Sequence, residues 1–212
     1  MSVTYEQFLP YVMPLVPNAP EPTVVFHIRN ACIDFCKGSL LLEQEMEAVT
    51  TTLGEGTYEI PVPDDTKLAH IIDLFYMNRT LFRRTPAEIS ARTSRDWMNL
   101  MGAVQFYTQF TPNEVTLALA PDRTDVNALT GLIAVIPTRA STTVDDTILE
   151  RYPEEIAHGA VSKIYAIPNQ PFSDPKAALM YGRQFSADIA NARSKAAAGQ
   201  NRAPLHVRPT RI

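Results

Sequence analysis

Residues 174–199 read DPKAALMYGRQFSADIANARSKAAAG, and this stretch is typical of one long helix with both ends marked. Asp174 can cap the first turn, Pro175 suits the first helical position, and Gly199 can end the helix. The apolar residues recur every three or four positions and the later ones are small: Ala178, Tyr181, Phe185, Ile189, Ala192 and Ala196. The stretch therefore predicts a long helix that approaches a neighbouring helix closely.

Two segments nearer the N-terminus have the same period. Residues 22–37 begin with Pro22, and Gly38 follows them as a stop signal. Their apolar stripe consists of Val25, Ile28, Cys32, Phe35 and Cys36. Residues 147–166 follow the acidic pair Asp145-Asp146, which suits a helix N-terminus. Their stripe consists of Leu149, Tyr152, Ile156, Ala160 and Ile164. We expect the first helix to pack against the last two.

Between these helices the pattern changes to alternation, which predicts about six strands. The expected strands are 40–53, 57–62, 68–77, 105–110, 114–120 and 127–136. Gly54-Glu55-Gly56 predicts a hairpin turn between the first two strands, and Asn78-Arg79 predicts a second hairpin. Thr85-Pro86-Ala87-Glu88 has the form of a capping box and predicts the start of a short helix.

The order of these segments predicts an α+β fold. One N-terminal and two C-terminal helices form a helical bundle, with an inserted antiparallel β-rich domain and an extended C-terminal tail. Residues 1–39 hold a proline-rich N-terminal arm and the first helix, and residues 40–146 the inserted β-rich domain. Residues 147–199 hold the two long helices that complete the helical domain, and residues 200–212 a basic, extended C-terminal arm. We expect the N-terminal arm to lie along a neighbouring surface.

Charge is distributed unevenly along the 212 residues. The net charge is −4, yet residues 1–188 contain all 23 acidic residues and only 14 of the 19 lysines and arginines, a local net charge of −9. Residues 189–212 contain five basic residues and no acid. The acidic body argues against a broad phosphate-binding face, and the basic tail favours contact with an acidic protein surface or a neighbouring copy.

No apolar run is long enough to span a bilayer, and the N-terminus lacks the pattern of a signal peptide. We expect a soluble protein of a cytoplasm-like compartment, with no membrane partner.

The residue patterns predict no catalytic site, metal site or cofactor. Cys32 and Cys36 lie within a predicted helix, so we expect buried, reduced thiols. None of the four histidines forms a pair with zinc-ligand spacing. A turn, a helix cap and a solvated helix face account for the acidic pairs Asp64-Asp65, Asp145-Asp146 and Glu154-Glu155.

The order and spacing of several weak motifs nevertheless form a recognisable set. The motifs are residues 27–36 (HIRNACIDFC), Tyr58-Glu59-Ile60-Pro61-Val62-Pro63, the Trp97 to Gly102 spacing, Glu155-Ile156-Ala157-His158-Gly159-Ala160 within 149–166, Pro171-Phe172-Ser173-Asp174-Pro175, and residues 185–199. With this set the chain resembles the head-to-tail adaptor, or connector, proteins of tailed bacteriophages. The resemblance spans most of residues 20–205.

The resemblance implies a structural protein without enzymatic activity, located in the virion neck and made in the host cytoplasm. It implies a dodecameric ring that joins the portal protein to tail or nozzle proteins, with genomic DNA passing through the channel without sequence-specific binding. It also implies that the C-terminal segment reaches the portal. We expect the portal interface to include Arg202, His206, Arg208, Arg211 and Ile212.

Two other functions stay open at this point. Another ring-forming neck or tail component, such as a collar protein or a tail terminator, shares the non-enzymatic character. A small hydrolase or nuclease is the alternative from a different class, and the missing nucleophile, base and metal ligands weigh against it.

Overall fold

The computed structural model describes residues 2–198, which form two compact units. Residues 2–41 and 137–198 form one unit, here called the helical unit, and residues 42–136 form the other, the β unit. The mixed α+β architecture predicted from the sequence is confirmed. The predicted C-terminal tail lies outside the described residues, as does Gly199, the expected end of the last helix.

The elements follow one another along the described chain in three groups. The first group is β1 (Ser2–Thr4), a 3₁₀ turn (Tyr5–Phe8), α1 (Leu9–Val12) and α2 (Glu21–Ser39). The second group is β2 (Glu43–Glu45), β3 (Val49–Thr51), β4 (Thr57–Glu59), β5 (Thr66–Tyr76), β6 (Arg79–Thr80), β7 (Phe82–Arg83), α3 (Pro86–Arg92), a 3₁₀ turn (Trp97–Asn99), β8 (Phe106–Thr108), β9 (Glu114–Leu117) and β10 (Asp125–Pro137). The third group is β11 (Thr143–Asp145), α4 (Asp146–Arg151), α5 (Pro153–Tyr165) and α6 (Pro175–Ala198).

Three helices, α2, α5 and α6, form the centre of the helical unit, as their apolar stripes predicted. The ring of Phe35 in α2 lies 5.1 Å from the ring of Tyr152 and 6.3 Å from the ring of Phe185 in α6. Gly38 near the end of α2 lies against Ile189 of α6. Along α2, Phe35 contacts Phe185 and the later Gly38 contacts the later Ile189. The two helices α2 and α6 therefore run in the same direction.

The stretch 147–166 was expected to be one helix, and this prediction was wrong. Tyr152 leaves the helical conformation at φ −136° and ψ 32°, so α4 ends and α5 begins at Pro153. Proline has no N–H to continue a helix but fits a first helical position, which explains the break. The predicted cap is present, because Asp145 Oδ1 accepts a hydrogen bond from the Thr147 N–H at 2.9 Å.

The helix α2 departs from its prediction in two details. Its left-handed terminating residue is Leu40, with φ 55°, whereas Gly38 lies inside the last turn. The small size of Gly38 is needed for packing, because a Cβ there would lie 2.5 Å from Ile189 Cγ2. The buried stripe includes Val24 in place of the predicted Val25, which is only partly buried.

The N-terminal segment is not a free arm for a neighbouring surface. Tyr5, Phe8, Val12 and Val16 are buried within the helical unit. Before them, β1 pairs antiparallel with β11, a pairing that the sequence did not predict. The prolines shape a short folded segment, and its apolar side chains complete the core of the same chain.

The β unit contains two sheets. One has the order β2-β10-β5-β6, with β3 also paired to β10, and the other has the order β4-β9-β8-β7. The hairpin predicted at residue 78 is confirmed: β5 pairs with β6, and the turn residues Met77 and Asn78 have φ values of 50° and 61°. The predicted capping box is also confirmed, since Thr85 and Glu88 hydrogen-bond each other's backbone N–H groups.

The hairpin predicted at Gly54-Glu55-Gly56 was wrong. The strand before these glycines, β3, pairs with β10, and the strand after them, β4, pairs with β9 in the other sheet. The glycines therefore connect two sheets. Alternation identifies a strand but not its partner, because pairing depends on residues far away in the sequence.

Candidate assembly surfaces

The five residues expected at a portal interface, Arg202, His206, Arg208, Arg211 and Ile212, lie outside the described residues. The helix that leads to them, α6, is described up to Ala198. The described part of the candidate site therefore consists of the surfaces of α6 and of the rest of the helical unit.

The start of α6 is held by a side-chain cap and its inner face by close packing. Asp174 Oδ1 accepts hydrogen bonds from the N–H groups of Lys176 and Ala177 at 3.0 and 3.1 Å, as predicted from the sequence. Phe185 and Ala192 are buried on the inner face. A Cβ on Gly159 of α5 would lie only 2.7 Å from the ring of Phe185, so this glycine sets the separation of α5 and α6.

The outer face of α6 carries only positive formal charges. Lys176, Arg183, Arg193 and Lys195 are exposed, and together they define what we call the basic face of α6. Asp188, the one acidic residue of α6, points inward and its Oδ2 lies 2.8 Å from His158 Nδ1 on α5. The inward turn of Asp188 removes the negative charge that would otherwise offset the four cations.

The basic face has little local compensation. Among residues 2–198, no carboxylate forms an ion pair with Lys176, Arg183 or Arg193. The ammonium group of Lys195 lies 5.9 Å from the centre of the Tyr152 ring, a cation–π distance. Unpaired cations of this kind attract acidic surfaces over several ångströms.

Two large apolar side chains stand beside these charges at the start of α6. Leu179 and Met180 are 59% and 58% exposed. Exposed apolar side chains next to unpaired cations are a common composition of protein-binding surfaces, where apolar contact supplies affinity and charge supplies orientation.

A second surface feature of the helical unit is a groove with a volume of ≈ 790 Å³ between the start of α2, the first 3₁₀ turn and residues 141–142. We call it the N-terminal groove and define it by Tyr5, Glu6, Glu21, Val25, Phe26 and Arg29. Tyr5 is held in place because its hydroxyl shares a 2.7 Å hydrogen bond with Ser141 Oγ and donates to the Thr143 carbonyl.

The N-terminal groove combines an apolar lining with free carboxylates. Phe26 is 49% exposed, and the guanidinium carbon of Arg29 lies 5.5 Å from its ring centre. Glu6 and Glu21 are exposed and form no ion pair within residues 2–198. The groove therefore offers an aromatic contact and two carboxylates, and Arg29 adds one cation, so its lining within residues 2–198 has a local net charge of −1.

The cysteines are free and buried, as predicted. Burial, with a smaller contribution from the Asp145 carboxylate, raises the pKa of Cys36 to about 12. Burial also raises the pKa of Cys32 well above its usual value. Both thiols therefore stay protonated near neutral pH and are poor nucleophiles.

Within residues 2–198, no three His, Cys, Asp or Glu side chains come together in a way that could hold a metal ion. In the same part of the chain, no helix has the length and apolar character needed to cross a membrane.

The N-terminal groove was missed by the sequence reasoning. One signal was present: Phe26 lies outside the apolar stripe of α2, on the side of the helix that carries Arg29. A single off-stripe aromatic residue is too common on protein surfaces to identify a groove without the tertiary structure.

The comparison with known families settles the broad class of this protein. The family described as SU10 adaptor protein matches residues 4–208, nearly the whole chain. The chain belongs to the SU10 adaptor protein family. A search of curated protein sequences returned no match. As an SU10 adaptor, the protein is a phage adaptor-type protein with a structural role, a component of the virion that interacts with other phage structural proteins.

Proposed function

We propose that this SU10 adaptor is a head-to-tail adaptor, which joins the portal protein of the capsid to the tail or nozzle proteins in the virion neck. The observation that carries the proposal is the family match over residues 4–208, which includes the basic tail as far as Arg208. The protein acts by binding and holding its neighbours, and not by catalysis.

The basic face of α6 supports the proposal that the C-terminal tail, residues 200–212, binds the portal. The predicted boundary between an acidic body and a basic tail lay near residue 189, but the exposed cations already begin at Lys176. The sequence continues this basic character through Arg202, Arg208 and Arg211 with no acidic residue after Asp188. Helix and tail thus form one long basic segment, suited to an acidic partner surface.

The quaternary arrangement is part of the same proposal. Copies of the chain form a dodecameric ring on the portal, and genomic DNA passes through its channel without sequence-specific contacts. The acidic body, with a local net charge of −9 over residues 1–188, reduces attraction of DNA phosphates to the ring. The free protein is monomeric or weakly associated, and the portal templates the ring.

The experiment measures binding of the adaptor to the portal protein of the same phage. We expect Arg202→Gln/Arg208→Gln/Arg211→Gln to leave the helical circular dichroism unchanged and to abolish co-sedimentation with the portal. A matched control removes three exposed cations from the β unit, Lys67→Gln/Arg92→Gln/Arg95→Gln, and should retain binding.

Deletion of residues 200–212 should have the same effect as the triple tail substitution, with folding retained. Native mass spectrometry of the wild-type mixture should then show a ring of adaptor copies on the portal. Full portal binding by the tail-deleted protein would overturn the assignment of the tail, and a stable ring without any portal would overturn the templating step.

A further inference from the structure

We propose that the N-terminal groove of one copy binds the basic C-terminal segment, residues 200–212, of a second copy. The inference goes beyond the proposed function, because it concerns contacts between copies of this chain in the absence of a portal. It names an occupant for a groove that the adaptor role leaves unexplained.

Charge complementarity is the first argument. The groove presents Glu6 and Glu21, which are exposed and have no ion-pair partner within residues 2–198. The segment 200–212 contains three arginines and no acidic residue. Arg29 is also part of the lining, so the groove has a net charge of −1. Its two carboxylates attract a segment whose charged side chains are all cationic, and they restrict the register of that segment at short range.

Apolar complementarity is the second argument. The groove is lined by Pro22, Val25 and the half-exposed ring of Phe26. The segment alternates its arginines with apolar residues, namely Pro204, Leu205, Val207, Pro209 and Ile212. The prolines limit the unbound conformations of the segment, which lowers the entropy lost when it lies in a groove. Its arginines can also stack on Phe26, as Arg29 already does from within the same chain.

The length of the chain favours a second copy over the same copy. The contact between Gly38 of α2 and Ile189 of α6 serves as a common reference point. The groove lies around Val25, about thirteen residues before Gly38. The last described residue of α6 lies about nine residues beyond Ile189. Because α2 and α6 run in the same direction, the end of α6 lies about 33 Å from the groove along the helix axes.

Crossing that distance in an extended conformation takes roughly ten residues. Within one chain, residues up to about 208 would be used in reaching the groove, and Arg202, Pro204 and Leu205 would not enter it. In a second copy the whole segment is available. The geometry therefore assigns the groove to the tail of another molecule.

The same residues serve the groove and the proposed portal contact, so the two sites compete for them. In the free protein the tail binds the groove of another copy weakly and reversibly, which is the weak association of the proposed function, and the portal later displaces it. The groove contact is between copies only, so it can be measured without any portal.

The test uses two full-length variants with complementary defects. The groove variant, Glu6→Gln/Glu21→Gln, keeps its tail, and the tail variant, Arg202→Gln/Arg208→Gln/Arg211→Gln, keeps its groove. A benzophenone photocrosslinker is attached through Leu205→Cys, since the native thiols are buried. The readouts are the yield of crosslinked dimer and the mapped site of crosslinking.

For the labelled wild-type background we expect dimers whose adducts map to residues 5–29. The labelled groove variant alone should give about tenfold less dimer, the change expected when two exposed charge pairs are lost. Mixing it with unlabelled tail variant should restore the yield, because an intact tail then meets an intact groove. A control variant of equal charge change in the β unit, Glu47→Gln/Glu59→Gln, should crosslink like wild type.

A second groove variant, Phe26→Ala, changes no charge and removes an exposed ring, so it should fold normally and still lower the yield. Adducts on the same chain, or an unchanged yield in both groove variants, would overturn the inference. Those outcomes leave the proposed function intact if the tail substitutions still abolish portal binding. Conversely, if portal binding survives the tail substitutions, the proposed contact between the tail and the portal is refuted. The crosslinking result is independent of that outcome.

Discussion

Gly159 and Gly182 allow the packing between α5 and α6 to be tested with one and the same substitution. A Cβ at Gly159 would lie 2.7 Å from Cε2 and Cζ of the buried Phe185 ring. Non-bonded carbons prefer separations of about 3.5–4.0 Å, so the ring or the helix has to move by about 1 Å. A Cβ at Gly182 would lie 3.6 Å from Ser162 Oγ, an ordinary contact.

The expected magnitudes follow from two opposing effects. Overpacking a core costs about 1–3 kcal/mol, and replacing glycine by alanine inside a helix returns about 1 kcal/mol. Gly159→Ala should therefore lower the free energy of unfolding by about 1 kcal/mol. Gly182→Ala meets no clash and should raise it by about 0.5–1 kcal/mol. The two variants should differ by about 2 kcal/mol although their chemical change is identical.

The assay is urea unfolding followed by circular dichroism at 222 nm, where the helices dominate the signal. A third variant, Phe185→Leu, makes room beside residue 159, so the double variant should be more stable than the sum of the single changes by about 1 kcal/mol. The reasoning is refuted if Gly159→Ala is as stabilising as Gly182→Ala, because Phe185 would then yield to the added methyl group at no cost.

Two further predictions concern the β-unit core and the response to alkaline pH. Gly131→Ala in β10 places a Cβ 2.5 Å from the backbone oxygen of Asp73, so it should destabilise the β unit by about 1–3 kcal/mol, followed by Trp97 fluorescence in urea. Gly56→Ala, with 4.0 Å to the nearest atom, is the control and should cost nothing; equal midpoints for the two variants would contradict the close approach. The pKa of Cys36 is raised to about 12 in the folded protein, whereas an unfolded thiol ionises near about 8.5. Its contribution to stability is thus complete below about pH 8.5 and declines as the pH rises toward 12. The free energy of unfolding between pH 7 and 10.5 should fall less steeply in Cys36→Ala than in wild type, and parallel profiles would rule out the buried thiol as a cause.

Local signals in the sequence were sufficient for several elements. The cap at Asp174, the proline at 175 and the spacing of Phe185 and Ala192 predicted α6, because a helix is defined by contacts within a few residues. The capping box at Thr85 and the hairpin after β5 were predictable for the same reason.

Other features were not predictable because they depend on distant residues. The residues 54–56 connect two sheets, because the strand before them, β3, pairs with β10, and the strand after them, β4, pairs with β9. The N-terminal segment folds onto its own helices because Tyr5, Phe8 and Val12 find apolar partners there, which its prolines gave no reason to expect. The break at Pro153 was within reach of sequence reasoning, since proline rarely occurs inside a helix, but the apolar stripe on both sides concealed it.

For the candidate surfaces the division is similar. Sequence alone determined the α+β class, the long last helix and the concentration of positive charge toward the C-terminus, because composition and period are properties of the chain itself. Only the tertiary structure decided that Asp188 turns inward to His158, which leaves the outer face of α6 wholly basic. Only the tertiary structure, too, brought Glu6, Glu21 and Phe26 to one groove. The physical reason is that tertiary packing determines which charged side chains are buried against a partner and which stay exposed without one, and the sequence alone does not show this.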